Sequence, residues 1–170
     1  MTGSPRLDRL WSGWRGDYVT GVAQAEPATR TECIFCELAA SPSGEGQILA
    51  RNDLVFALLN LYPYNSGHLM VAPLRHEGAL EALTDDESAA LMRMTVDATS
   101  AVKAAYRPDG VNVGMNLGRA AGAGIPGHLH VHVLPRWAAD TNFMTSVAEA
   151  RVLPEALSRT YERLRSAWPT

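Results

Sequence analysis

Eight residues, His128-Leu129-His130-Val131-His132-Val133-Leu134-Pro135, restrict the possible folds of this chain more than any other stretch. Side chains alternate between faces along a β-strand, so this segment as a strand puts three imidazoles on one face and Leu129, Val131 and Val133 on the other. One face is built for chemistry and the other for packing. A plain half-buried strand would place Thr, Tyr or mixed charges where these histidines stand. Same-face positions lie about 6.6–7 Å apart, which separates His128 from His132 by roughly 13 Å at the backbone. All three imidazoles are therefore poor ligands for a single metal. Either two of them chelate one ion, or the three divide the work, with a central nucleophile and flanking groups that orient it or bind an anion. Neutral imidazole is available near pH 7 and attacks phosphorus well, leaving a product that a second nucleophile can split.

The neighbouring sequence favours phosphate. Between positions 118 and 127 stand four glycines, Gly118, Gly122, Gly124 and Gly127, together with Pro126. Such a loop lets backbone amides approach phosphate oxygens without a side-chain cation. Neither a GxxxxGK[ST] loop nor a GxGxxG turn between strand and helix is present. The net charge of -3 and a pI near 5.9 argue against a general nucleic-acid surface, so an anionic ligand has to be held locally. Cys33 and Cys36 form a CxxC pair, which in a chain of this kind suggests a metal or a redox dithiol rather than a structural disulfide. A redox motif would want a strand-to-helix junction in a parallel α/β pattern, and metal is the favoured reading.

That pattern is missing from the order of elements. Gln47 to Ala50 and Leu54 to Leu61 read as a hairpin about Arg51-Asn52-Asp53. The turn formers of 62–67 then lead to a strand from His68 to Pro73. Thr84-Asp85-Asp86-Glu87 is a capping box that predicts a helix to about Ala105, with Leu91, Met94, Ala98, Val102 and Ala105 as the buried stripe and its methionines in the core. Val111, Val113, Met115 and Leu117 alternate as the strand before the glycine loop. A last helix is predicted from about Pro154, with Leu157, Tyr161, Leu164 and Trp168 on one face. Strands, helix, strands, helix predict an α+β fold with a mostly antiparallel five-stranded sheet and two main helices. Residues 1–32, with Trp11, Trp14 and Tyr18, read as an N-terminal arm, and 33–170 as the domain. The 46% hydrophobic content lacks any run long enough for a membrane helix, and no signal-peptide order opens the chain. The expectation is a cytoplasmic protein that uses no membrane and no organic cofactor.

The His-x-His-x-His segment followed by two apolar residues resembles the signature of the histidine triad (HIT) superfamily of nucleotide hydrolases and transferases. Leu10-Trp11 through Tyr18, Cys33 to Cys36, Asn60 to His68, Gly114 to Gly118, Pro135-Arg136-Trp137 and Thr141-Asn142-Phe143-Met144 resemble its bacterial diadenosine tetraphosphate phosphorylase-like branch. The resemblance runs from about residue 10 to 165. It implies the HIT-like fold, a homodimer that joins two sheets into one, and an adenine dinucleotide substrate. In it His130 is the nucleophile that forms a nucleotidyl-histidine, and His132 orients it or contacts the phosphate. Asn60 stands where the family holds the ribose, Asn116 where an amide meets phosphate, and Gly122 and Gly124 in the loop that lines the phosphate site. Locally, either amide could equally serve as a turn group bonded to backbone. Zinc-bearing members imply a structural Zn2+ on Cys33, Cys36, His76 and His128. Many hydrolases of the family carry Gln or Ser four or three residues before the first triad histidine, where this chain has Gly124 and Ile125. Three functions follow from the resemblance: a phosphorylase with inorganic phosphate as acceptor, a hydrolase with water, or a zinc-stabilised nucleotide-binding module without turnover.

Overall fold

The computed structural model describes residues 33–41, 47–138, 140 and 155–169. In chain order these form α1 (Ile34–Ala40), β1 (Ile48–Arg51), β2 (Val55–Leu59), β3 (Leu69–Pro73), α2 (Asp85–Tyr106), β4 (Gly110–Gly114), β5 (Val131–Arg136) and α3 (Leu157–Ser166). Single 3-10 turns occupy Leu80–Ala82 and Arg119–Ala121. The five strands make one wholly antiparallel sheet in the order β1-β2-β3-β5-β4. The expected arm at 1–32, residues 42–46 and residues 141–154 lie outside the described residues. No helix among the described residues is long and apolar enough to cross a membrane.

The central strands read as unbroken apolar runs because both faces of the sheet are covered. Val55, Ala57 and Leu59 of β2, with Leu69 and Val71 of β3, join Leu129, Val131 and Val133 in a core closed by α2 and α3. The intervening Phe56, Leu58, Met70 and Ala72 turn to the other face and pack beneath α1 with Cys33, Phe35 and Ala39. The packing side of the histidine segment thus faces the long helix, and the imidazoles face α1. Hydrogen-bonded strand geometry begins only at Val131, so His128 to His130 lead into β5 rather than form part of it.

Local signals explain the ends of α2. The Thr84 hydroxyl accepts from the Glu87 amide and the Glu87 carboxylate accepts from the Thr84 amide, a reciprocal cap of the sort whose loss costs about 1 kcal/mol. Both Glu87 oxygens also take the Arg75 guanidinium at 2.8 Å, and these bonds hold the carboxyl down to about 2. This ties the end of β3 to the start of α2. Leu91, Met94, Ala98 and Val102 are buried as expected, with Ala105 partly so.

Some expectations need correction. Met92 is 62% exposed and lies outside the core, unlike Met94. The alternation of Val111 to Leu117 belongs to an edge strand that stops at Gly114, leaving Val113 and Leu117 about half exposed. The last helix starts at Leu157 with Ala156 as its cap, and Pro154, expected in its first turn, lies outside the described residues. Leu164 is its buried contact, with Tyr161 and Trp168 beside it. The CxxC pair, for which no local structure was expected, opens a seven-residue helix with Cys33 at the cap.

Candidate active site and metal centre

Cys33 at the start of α1 and Cys36 one turn later reach across to His76, just after β3, and to His128, just before β5. Their four ligand atoms lie within 4.8 Å of one another. Two backbone features bring the histidine segments together. The Leu129 amide donates to the Glu77 carbonyl at 2.6 Å, and Gly78 lies so close to the backbone of Pro126 and Gly127 that a side chain there would collide with it. His128 is fully buried, and its Nε2 donates to the Pro73 carbonyl at 2.8 Å. That bond settles the tautomer: Nδ1 keeps its lone pair and faces Cys33 Sγ at 3.4 Å and Cys36 Sγ at 3.6 Å. His76 Nδ1 lies 3.3 Å from Cys36 Sγ. A tetrahedral zinc with its usual bond lengths separates sulfur from nitrogen by about 3.5 Å, so the spacing and the donor set both fit such an ion. Burial keeps His128 neutral, down to about 4, although the Pro73 bond opposes the shift.

The next imidazole on this face is differently wired. His130 Nδ1 donates to the carbonyl of His128 at 2.9 Å, which leaves Nε2 as the unprotonated nitrogen. Burial lowers its pKa and so favours the neutral, nucleophilic form. Phe35 packs against both His128 and His130, with ring centroids 5.1 and 5.0 Å away. His132 stands opposite Met70 on β3. Its Nδ1 is 2.9 Å from Nε2 of His68, and the Tyr64 amide donates to His68 Nδ1 at 3.1 Å. Because His68 Nδ1 accepts, its Nε2–H donates to His132, whose Nε2 therefore carries the proton. His130 thus presents a lone pair while its neighbour presents a donor. Burial, reinforced by His130, holds His132 down to about 4.

His68 is a participant that sequence reasoning left without a role. Its signal was a histidine set between a turn and an apolar strand. Gly67 precedes it at φ +83°, packed so closely on Tyr106 that a side chain could not be accommodated. Tyr64 stacks on the His68 ring at 4.8 Å.

A cavity of about 910 Å³ opens above these rings and is lined by His130, His132, Asn60, Asn116, Gly122 and Gly124, all six expected nucleotide-site positions. Ile34, Phe35 and Leu38 of α1 and Leu58 and Met70 of the sheet supply an apolar wall. Both amides also serve the local structure. Asn60 Oδ1 accepts from the Tyr62 amide and its Nδ2 lies 3.4 Å from the His68 ring nitrogens. Asn116 Nδ2 reaches the Gly122 carbonyl at 3.4 Å, clipping the glycine loop, which adopts φ +91° at Gly122. The four metal-site residues and the six cavity residues form adjoining but separate groups, joined through His128 and Phe35.

An antiparallel five-stranded α+β sheet with alternating histidines at a cavity is the arrangement of a known enzyme family. The HIT domain model matches residues 42–139, and the chain belongs to the HIT family of enzymes. It is 44% identical to the AP-4-A phosphorylase of Mycobacterium tuberculosis strain H37Rv over 170 aligned positions, covering 96% of this chain and 85% of that protein. Over 92 positions, 54% of this chain and 44% of the relative, it is 34% identical to the bis(5'-adenosyl)-triphosphatase of Saccharomyces cerevisiae. Among solved structures, a zinc-bound histidine triad family protein from Mycobacterium smegmatis superposes with a TM-score of 0.67 at 23% identity, over 82% of this chain and 94% of that one.

Proposed function

We propose that the chain is a phosphorylase of diadenosine polyphosphates that works through a nucleotidyl-His130 intermediate. The observation that carries this reading is the opposed wiring of the two imidazoles in the cavity: His130 with Nδ1 tied to the His128 carbonyl and Nε2 unprotonated, His132 with a proton on Nε2 by way of His68. His130 Nε2 attacks the α-phosphorus, a P–N bond forms, and the bond to the leaving polyphosphate oxygen breaks. Charge that builds on the phosphoryl oxygens meets the His132 N–H, the amides of the glycine loop and Asn116. Inorganic phosphate then attacks the same phosphorus, the P–N bond breaks, and diadenosine tetraphosphate plus phosphate becomes ATP plus ADP. Asn60 holds the ribose and the α1 wall covers the base. The cavity volume falls within the range that small-ligand sites use.

The likeness to a triphosphatase favours a second reading, in which water takes the place of phosphate and AMP is released. Incubation with diadenosine tetraphosphate, with and without phosphate, decides between them: phosphate-dependent ADP with ATP supports the first, AMP with ATP the second. Binding without turnover would sink both in favour of a binding module.

The Cys33, Cys36, His76 and His128 cluster is read as a structural zinc site. A closed set of two thiolates and two imidazoles supplies cross-linking when the ion is bound and leaves no open position for substrate. The chain pairs as a homodimer through β4, an edge strand exposed at four of its five residues. An antiparallel contact there would continue the sheet across both copies. Sedimentation equilibrium tests it, and a monomer at micromolar concentration would refute it.

A further inference from the structure

Cys33 and Cys36 are separated by Ile34 and Phe35, and the two spacer side chains differ sharply. Ile34 is 41% exposed, whereas Phe35 is 2% exposed and wedged against both His128 and His130. His128 in turn gives its Nδ1 to the cluster and its carbonyl to the Nδ1–H of His130. Two short paths therefore run from the four-residue cluster to the nucleophile. One is the backbone of His128, and the other is the ring of Phe35, which follows Cys33 and precedes Cys36 in the chain and packs on both imidazoles. Either alone leaves the imidazole a rotation: a hydrogen bond on one nitrogen allows the ring to swing about that bond, and a ring face on one side allows it to slide. Together they specify both the direction of Nε2 and the plane of the ring.

We propose that Phe35 and the main chain of His128 are positioning elements that pass the order of the metal cluster to His130, so that the closed site governs turnover as well as stability. This rests on the reading of His130 as the nucleophile. It predicts that Phe35 acts on the chemical step even though its edge also lines the cavity. A mere wall residue would act on substrate affinity.

The zinc-loaded full chain, its Phe35→Leu and Phe35→Tyr variants and the chelator-stripped wild type test this by two independent measurements. In the first, with no substrate present, the imidazole Nδ1–H of His130 is followed by proton–nitrogen NMR. It should exchange slowly in zinc-loaded wild type and Phe35→Tyr, and broaden or exchange at least about tenfold faster in Phe35→Leu and in stripped protein. In the second, Phe35→Leu should lower kcat with diadenosine tetraphosphate by about ten- to a hundredfold, with KM within about threefold and metal content at one equivalent. Phe35→Tyr should restore most of it. An unchanged Nδ1–H signal in Phe35→Leu, or a raised KM at wild-type kcat, would overturn the proposal. Should stripped protein unfold, Phe35→Leu, which keeps all four ligands, decides alone. Should wild type show no turnover, the phosphorylase reading fails while the NMR measurement still judges the positioning.

Discussion

His128 and His132 sit four residues apart on the same side of one segment, yet their surroundings make them opposites. His128 is wholly buried, and both its nitrogens are committed, one to the Pro73 carbonyl and one to the thiols of α1. His132 is partly exposed to the cavity and has one nitrogen committed to His68, which leaves the other to a ligand. Between them His130 shares one feature with each: burial with the first, an open nitrogen with the second. The comparison teaches that an imidazole's task is set by what its far nitrogen meets. The contact that decides the tautomer decides whether the ring's other nitrogen offers a lone pair or a proton.

The largest test of this division is removal of the middle ring. His130→Ala should lower turnover by roughly three orders of magnitude or more while leaving metal content and Tm near wild type. A variant retaining a tenth of the activity would end the assignment. At the metal end, Cys36→Ser should drop bound zinc well below one equivalent and lower Tm by about 10 °C, measured by elemental analysis and calorimetry. Stable, metal-free wild type would refute the structural role. At the cavity end, His132→Ala should cost about a hundredfold in kcat and leave zinc untouched. His68→Ala, which only removes the partner that sets the His132 tautomer, should cost about tenfold. If these two variants lose metal instead, the separation between the ends is wrong.

The smallest effect is on pH dependence. Burial holds His132 near 4, below the ordinary histidine value of about 6.5, so the unfolded chain binds this proton before the native state does as pH falls. The stability contributed is complete above about pH 6.5 and is lost as pH drops towards 4. Urea unfolding between pH 7.5 and 4.5 should therefore show a shallower acid loss in His132→Gln than in wild type. Equal slopes would mean that His132 is not held neutral.

Much of the scaffold was legible from short-range signals. Thr84 and Glu87 are three residues apart and satisfy each other's helix-end amides, so the start of α2 could be read directly. The Leu129, Val131 and Val133 face could be read from alternation alone. Exposure was harder. Val113 and Met92 look like core residues in their local patterns, but they lie on an edge strand and on the outer side of α2. The expected cavity positions were available only by family resemblance, because Asn60 and Asn116 make local bonds that any turn amide could make.

His68 and Phe35 mark the boundary most clearly. Phe35 meets a ring 95 positions further on, and His68 one 64 positions further on. By itself the sequence determined the order of the five strands and the two main helices, and the two faces of the histidine segment, because periodicity and capping act within a few residues. Tertiary structure alone decided how each imidazole is wired. Tautomer and burial depend on atoms that only the antiparallel pairing of β3 with β5 and the docking of α1 bring within hydrogen-bond range.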